Sequence, residues 1–274
     1  MQDFYRGRVA IVTGSSNGIG RETARVLASR GARVTITGRN RDAIHETRRL
    51  CMEGGAREED LLEVEGDLSE MVTIEKIVNE TVAKFGGIDL LVNNAATSFP
   101  SKLVGIEQPI ELFDKTIAVN LRPVILLTQL SLPYLEKTAG SIVNVSSIAA
   151  LPLVIKSAPY YAVVKAALDS LTVQMAGTLI YRGIRVNAVS PGLTRTHFHE
   201  SAGVPKAVSQ RIYSASSDVI PIGRAGEARE VAELIAFLGD SSKSEYIVGQ
   251  SYIIDGGATL LNNLNTLQMN KPKL

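Results

Sequence analysis

Seven short runs rich in β-branched and apolar residues punctuate the chain, at Val9–Thr13, Arg33–Thr37, Leu61–Glu65, Asp89–Asn93, Ser141–Val145, Ile184–Val189 and Ser251–Ile254. In most of them apolar residues follow one another instead of alternating with polar ones, as in strands covered on both faces. The chain between neighbouring runs is long enough for a crossover helix, which parallel strands need. Two helices matter most. One is predicted from Ile19 to Ser29, where Thr23, Ala24, Val26 and Leu27 line a face and Gly31 acts as a stop. The other runs from about Pro159 to Arg182, with Ala162, Ala166, Leu168, Leu171 and Met175 as a buried stripe. No linker, repeat or low-complexity insert divides the 274 residues. The prediction is one α/β domain over 1–274, a doubly wound parallel sheet of about seven strands with helices on both faces.

The first run leads into Thr13-Gly14-Ser15-Ser16-Asn17-Gly18-Ile19-Gly20, and a helix begins at once. Glycines let the backbone turn sharply and approach a pyrophosphate, while a helix N-terminus offers free N–H groups to the anion. Turns also use glycine, so the loop gains its meaning from context: strand, loop and helix in that order, then a second strand ending about 20 residues on. That second strand is followed by Gly38 and Arg39 in place of an acidic residue. An Asp or Glu there would accept from a ribose 2′-hydroxyl, whereas a guanidinium can clamp a 2′-phosphate. NADP(H) is the expected cofactor and NAD(H) the alternative. Arg39, with Arg41 nearby, reads otherwise as a solvated loop charge.

Composition narrows the partners. Lys and Arg number 29 against 28 for Asp and Glu, with no long run of one sign, so neither nucleic acid nor an anionic membrane is expected. No apolar run reaches the roughly 18 residues of a membrane span, and Val9 to Val12 is too short for a secretory signal. Cys51, the single cysteine, cannot form an internal disulfide. It reads as a bystander in a helix and fits a reducing, cytoplasmic setting. The terminal Pro272-Lys273-Leu274 resembles a degenerate peroxisomal Ser-Lys-Leu address that Pro272 spoils, which leaves the peroxisome as the minor alternative. His197 and His199 read as solvated loop residues: they lack a third ligand at metal spacing, so no metal is expected.

Tyr161 and Lys165 stand at i and i+4 on the second predicted helix, one turn apart on one face. A phenol, with its pKa near 10, is a poor proton donor or acceptor at neutral pH unless its anion is stabilised, which a nearby ammonium can do. Such pairs also arise as surface packing. Tyr160 has no lysine four residues on, so the pair belongs to Tyr161.

Several motifs agree with this pair. Thr13–Gly20 is similar to the TGxxxGxG loop of the classical short-chain dehydrogenase/reductase family, Asn93-Asn94-Ala95-Ala96 to its NNAG, Asn120 to its helix asparagine, Ser147 to its serine and Tyr161–Lys165 to its YxxxK. Pro191-Gly192 and Asp255-Gly256-Gly257 match later signatures, so the resemblance, which includes tropinone-reductase-like and carbonyl-reductase-like members, covers almost the whole chain. It implies a single-domain Rossmann fold and a catalytic set of Asn120, Ser147, Tyr161 and Lys165. Tyr161 would give a proton to a carbonyl oxygen as hydride arrives from the nicotinamide, or reverse this to oxidise an alcohol. Lys165 would also hold the nicotinamide ribose, Ser147 would stabilise the substrate oxygen, and Asn120 would anchor a water leading from Lys165 to solvent. Ser146 competes with Ser147, and the family pattern favours the second.

By the same resemblance the cofactor meets Gly14, Ser16, Asn17, Gly18, Ile19, Gly20, Arg39, Asn94, Ala95, Lys165, Pro191 and Gly192. Asp67, with Leu68 beside it, would accept from the adenine amino group, or else cap a helix in competition with Ser69. Thr196 would meet the carboxamide, or else bond its own backbone. Three departures stand out: Ala96 replaces a glycine and is expected to narrow the cofactor floor, Val164 replaces a common serine, and the Ser147–Tyr161 segment is one residue longer than is common. The extra residue is expected to move Leu153 and Val154 at the substrate mouth.

Residues 194–221 are expected to form a lid over the nicotinamide, with the C-terminal tail, about 258–274, joining an oligomer interface. Phe198, Val204, Tyr213 and Val219 in the lid, with Leu151, Leu153 and Val154 opposite, favour a ketone or secondary alcohol with hydrophobic bulk over a sugar or charged acid. Ser147, Leu153, Val154, Tyr161 and Phe198 are the substrate residues expected, and a homotetramer is implied by the family. The remaining alternatives are an NAD-linked alcohol dehydrogenase and a non-catalytic nicotinamide-binding redox sensor.

Overall fold

A computed structural model describes residues 4–99 and 101–260. All seven predicted strands form: β1 (Val9–Val12), β2 (Arg33–Gly38), β3 (Leu61–Glu65), β4 (Leu90–Asn93), β5 (Ser141–Val145), β6 (Arg185–Pro191) and, after two short strands β7 (Thr194–Arg195) and β8 (Gly226–Glu227), β9 (Ser251–Ile254). The seven pair in parallel in the order β3-β2-β1-β4-β5-β6-β9, while β7 and β8 pair separately. This is the Rossmann-like arrangement. Strand order reverses between β1 and β4, and a crevice opens at their carboxyl ends.

Why successive strand residues are apolar is visible in β1. Ile11 packs into a cluster with Ile74, Leu91, Leu127 and Ile184, whereas Val12 packs into a second cluster with Leu27, Ile36 and Ile235. Neighbouring side chains point to opposite faces. The Val12 side is covered by α1 (Gly18–Ser29), α2 (Arg41–Glu53) and the late helix α10 (Ala228–Gly239), and the Ile11 side by α3 (Met71–Phe85), α4 (Ile110–Asn120), α5 (Arg122–Thr138) and α6 (Pro159–Leu179). Three short helices, α7 (Phe198–Ser201), α8 (Lys206–Ser214) and α9 (Ser216–Val219), lie between β7 and β8.

The predicted face of α1 is the one buried: Thr23, Ala24, Val26 and Leu27 are all covered. The stripe predicted on α6 is displaced. Ala166 is exposed and Ala162, Leu171 and Met175 are half-buried, while Val164, Lys165, Leu168, Thr172, Ala176 and Leu179 point inward. Hydropathy passes over that face because it carries two polar residues. Thr172 is one end of a buried chain in which Asn93 Nδ2 donates to Asn144 Oδ1 at 2.9 Å and Asn144 Nδ2 donates to Thr172 Oγ1 at 2.8 Å. Each link satisfies a group that would otherwise cost about 1–3 kcal/mol to bury, and together they fix α6 against the carboxyl ends of β4 and β5. With its 3₁₀ extension to Arg182, α6 is long and apolar enough in composition to cross a membrane; one face of it packs on β6 and α4.

Cys51 is buried in α2, where loss of solvent pushes its thiol up to about 12. The peroxisome-like end and most of the C-terminal tail, 261–274, lie outside the described residues.

The β1–α1 turn has no room for a side chain at its third glycine. A Cβ on Gly20 would lie 2.4 Å from the Gly14 carbonyl oxygen and 2.5 Å from Asn94 Nδ2. Gly20→Ala is expected to lower stability by about 1–3 kcal/mol, read from urea unfolding.

Candidate active site

A cavity of about 600 Å³, within the range of ordinary ligand sites, runs along the crevice. One end is formed by the glycine loop (Gly14, Ser16, Asn17, Gly18, Ile19), by Arg39 after β2, and by Asp67 and Leu68 after β3. Asn94 and Ala95 after β4 form the middle, with Ala96 beside them. Ser147, Tyr161 and Lys165 stand at the other end, under Pro191, Gly192, Thr196 and Phe198.

The floor is held by one hydroxyl. Thr13 Oγ1 accepts from the backbone N–H groups of Asn94 at 2.9 Å and Ala95 at 3.0 Å, and the Asn94 side chain donates in return to the Thr13 and Gly14 carbonyls at 2.8 and 3.2 Å. The ends of β1 and β4 are thereby tied together just where the strand order reverses. Above them α1 begins without help from a side chain. Asn17, its N-cap, makes no capping bond, and no acidic residue stands in the first turn. Free N–H groups therefore face the cavity, an electropositive cradle suited to a diphosphate. Gly18, at φ +54°, lies against the lid segment, where a Cβ would meet Thr196 at 3.0 Å.

At the far end, Tyr161 and Lys165 occupy one face of α6, with the Lys165 ammonium 5.6 Å from the centre of the Tyr161 ring. Lys165 is only 2% exposed, and its Nζ donates to the Val145 carbonyl at 2.6 Å. Burial pulls it down to about 8, against a smaller upward pull from Asp169. Burial pushes the Tyr161 phenol up to about 12, against a hydrogen bond from Ser147 that lowers it. The lowering expected from Lys165 is not among these causes. Ser147, and not Ser146, meets the phenol; the Ser146 hydroxyl donates to the Lys165 carbonyl at 3.3 Å instead.

Several expected site residues lie elsewhere. Gly20 is outside the cavity wall and serves the close packing described above. Asn120 is buried behind the wall, its carboxamide engaged at both ends by Thr97: Thr97 N donates to Oδ1 at 2.9 Å, and Nδ2 donates to the Thr97 carbonyl at 2.8 Å. Leu153 and Val154 are 44% and 84% exposed and do not line the cavity. Ile155, Ser157 and Ala158 take that place, because the loop is turned by bonds from Gly105 N to the Lys156 carbonyl (2.9 Å) and from Gln108 Nε2 to the Ser157 carbonyl (3.1 Å). Such long-range bonds leave no local signature.

Asp67 lies in the wall, where its Oδ1 accepts from Ser69 N at 2.8 Å and its Oδ2 stands 3.9 Å from Arg39 Nη1. Asp67 does not cap the helix that follows, whose N-cap is Glu70, and its bond to Ser69 N is a turn two residues long. Thr196 lines the cavity and also accepts from Phe198 N at 3.2 Å.

Of the expected lid, the part from Thr194 to Val204 roofs the Tyr161 end. Phe198 packs on the Tyr161 ring at 5.5 Å between centroids, then His199 on Phe198 at 5.9 Å and Tyr213 on His199 at 6.0 Å. His199 is thus a wall residue, held below its ordinary pKa by burial, and not the solvated histidine expected. His197 is exposed, 3.8 Å from Glu200.

Comparison with known proteins agrees with the geometry. A family model described as enoyl-(acyl carrier protein) reductase matches residues 14–259. Meso-2,3-butanediol dehydrogenase of Serratia marcescens is 32% identical over 93% of this chain and 96% of its own. A crystal structure of a short-chain dehydrogenase/reductase of unknown function from Caenorhabditis elegans, with cofactor, superposes with a TM-score of 0.94 at 42% identity, covering 96% of this chain and 98% of that one. A 7α-hydroxysteroid dehydrogenase complexed with NADH and 7-oxo glycochenodeoxycholic acid matches with a TM-score of 0.82 at 28% identity, covering 93% and 96%.

The buried ammonium makes a stability prediction. Since Lys165 titrates near 8 when folded and near its ordinary 10.5 when unfolded, the unfolded chain binds more protons between those values, and stability rises with pH across that window. Lys165→Met removes that pH dependence. In urea titrations its stability relative to the parent is expected to be highest below pH 8, by on the order of 3 kcal/mol before the lost bond to Val145 is counted, and to decline towards pH 10.5.

Proposed function

We propose, since this chain belongs to the short-chain dehydrogenase/reductase family of oxidoreductases that act on alcohols and ketones with a nicotinamide cofactor, that it is an NADP(H)-dependent carbonyl reductase with Tyr161 as general acid and base. The observation that carries this reading is the meeting of Ser147 with the Tyr161 phenol at one end of a cavity whose other end presents Arg39. A bound nicotinamide supplies the hydride in reduction and accepts it in oxidation.

The chain's own residues account for the rest. The uncapped N-terminus of α1 binds the pyrophosphate through its N–H groups, and Asn94, Ala95, Pro191, Gly192 and Thr196 hold the nicotinamide half. Arg39, immediately after β2, binds a ribose 2′-phosphate, while Asp67 and Leu68 flank the adenine. At neutral pH a phenol held near 12 keeps its proton, so Tyr161 is ready to donate to a carbonyl oxygen as negative charge develops there. Ser147 shares that oxygen and offsets the same charge. In the oxidative direction Tyr161 must first lose that proton, with Lys165 as the nearest cation.

The substrate end is bounded by Ile155, Ala158, Phe198, Ala202 and Val204, which suits a ketone or secondary alcohol with hydrophobic bulk, and residues 194–221 act as its lid. A homotetramer and a cytoplasmic setting belong to the same proposal. One observation favours NAD(H) as a second reading: the Asp67 carboxylate, 3.9 Å from Arg39, already supplies that guanidinium with a negative partner.

Two variants test the proposal. Tyr161→Phe is expected to reduce kcat by about 10²–10⁴-fold on whichever carbonyl compound the parent reduces, with NADPH binding retained; normal turnover would sink the mechanism. Arg39→Ala is expected to weaken NADPH binding about 10–100-fold, the loss of a hydrogen bond to a charged group, and to leave NADH binding nearly unchanged. Equal losses for both cofactors in fluorescence titrations would transfer the assignment to the second reading.

A further inference from the structure

One carboxylate near the reacting end has no part in the scheme above. Asp169 lies one turn beyond Lys165 on α6, so Tyr161, Lys165 and Asp169 follow one another at i, i+4 and i+8 along one face of the helix. It is half-buried. Its Oδ1 accepts from Ser251 Oγ at 3.3 Å, and Ser251 Oγ lies 2.8 Å from Ser190 Oγ, so the carboxylate is tied to β9 and, through it, to β6. The Ser146 hydroxyl, in the turn after β5, stands within reach of both this carboxylate and the Lys165 carbonyl and has one proton to give to either. β9 directly, β6 through Ser251, and the turn after β5 thus meet at a side chain that does not line the cavity.

We infer that Asp169 is a positioning residue for proton transfer: from one helical turn behind the cavity it keeps the buried Lys165 ammonium charged, and the Ser146, Ser190 and Ser251 hydroxyls keep its own carboxylate ionised and in place. This rests on the reading of Lys165 as part of the reacting centre.

The groups that face the pair are few. On α6 itself there is Tyr161; β5 contributes the Val145 carbonyl and the segment after it Ser146; β6 and β9 contribute Ser190 and Ser251. Among charged groups of the described residues, Asp169 is the one whose field acts on Lys165, and Lys165 the one whose field acts on Asp169. No arginine, histidine or second carboxylate shares the task. Burial works against both charges, pulling Lys165 down and pushing Asp169 up, and the mutual attraction opposes burial at each. The bond from Lys165 to Val145 orients the ammonium but brings no counter-charge. Without Asp169 the lysine would be a buried cation with no anion near it, the situation in which lysines lose their proton. A neutral Lys165 still accepts and donates hydrogen bonds, yet it no longer stabilises a phenolate beside it.

The test needs no substrate and so stands apart from the reductase reading. Protein labelled with ¹³C at lysine Cε is titrated by NMR, with the Lys165 signal assigned through its loss in Lys165→Arg. The parent midpoint is expected near 8. In Asp169→Asn, which keeps the shape and can still accept from Ser251, it is expected to fall by about one unit, a tenfold loss of proton affinity. Asp169→Glu is expected to recover part of the shift. Coupling of this kind is reciprocal. Titration of ¹³C-labelled aspartate should therefore show the Asp169 carboxyl rising in Lys165→Gln, which keeps the experiment decisive even if Asp169→Asn does not fold. An unchanged lysine midpoint in folded Asp169→Asn, or an unchanged carboxyl midpoint in Lys165→Gln, overturns the inference. With NADPH and a carbonyl compound that the parent reduces, the alkaline limb of kcat should move to lower pH in Asp169→Asn, while the KM for NADPH changes less than twofold. A uniform loss of kcat at every pH would mark a merely structural residue and reject the inference. A coupled pair in a protein that transfers no hydride would instead reject the proposed function alone.

Discussion

The tie between the ends of β1 and β4 is the constraint on which the site depends. A parallel sheet delivers all of its carboxyl ends to one edge, but at a reversal of strand order the two helices that follow run to opposite faces, and the backbone between them has no ladder to complete. Here the gap is bridged by one threonine hydroxyl that takes two N–H groups and one asparagine amide that returns bonds to two carbonyls. Four polar backbone groups that would otherwise face an open cleft are satisfied, so the glycine loop is rigid where it must be close to a ligand. The lack of room at Gly20 follows from the same closeness.

The other half of the site depends on burial, with the opposite electrostatic sense. The N-terminus of α1 offers partial positive charge to a cleft, at no desolvation cost to any side chain. Lys165 places a full charge where solvent cannot reach it and gives up proton affinity as a result. Tyr161, buried in the same region, moves the other way. Their ordinary values lie close together and their environments drive them apart, so that the proton held by the phenol and the charge held by the ammonium become separately defined. The polar chain Asn93–Asn144–Thr172 makes this arrangement tenable, because it anchors the helix that carries both groups without adding a competing charge.

The sheet was legible in the sequence because the signal is local and doubled: Ile11 and Val12 are both apolar since both faces of β1 are covered. The glycine loop and the Tyr161–Lys165 pair were legible for a related reason, as fixed spacings within one turn or one helix. What escaped depended on contacts distant in sequence. The α6 stripe was displaced because Thr172 and Lys165 are inward for polar reasons, and Leu153 and Val154 were assigned to a mouth formed by Ile155, Ser157 and Ala158. Asn120 was expected to anchor a water leading from Lys165, and the pairing of its side-chain amide with the Thr97 backbone had no signature in the sequence. His199 had no pattern that could separate it from His197; only the aromatic neighbours Phe198 and Tyr213 distinguish the two. Asp169 carries a signal of the same local kind, the next position in the i, i+4 series.

The two-residue ladder between β7 and β8 joins Thr194 to Gly226 and Arg195 to Glu227, so the roof segment leaves and re-enters the body of the protein at one place. A loop anchored in this way behaves as a cassette. Much of its contents can be exchanged, shortened or recoloured by mutation while both of its ends stay bonded to each other, and Thr196 is where it rests on the cofactor cradle below. Selection acting on what the cavity admits is thereby separated from selection acting on how the hydride donor is held. A chain built like this can vary what its cavity admits at positions of that segment other than Thr196, which abuts Gly18, and Phe198, which packs on Tyr161.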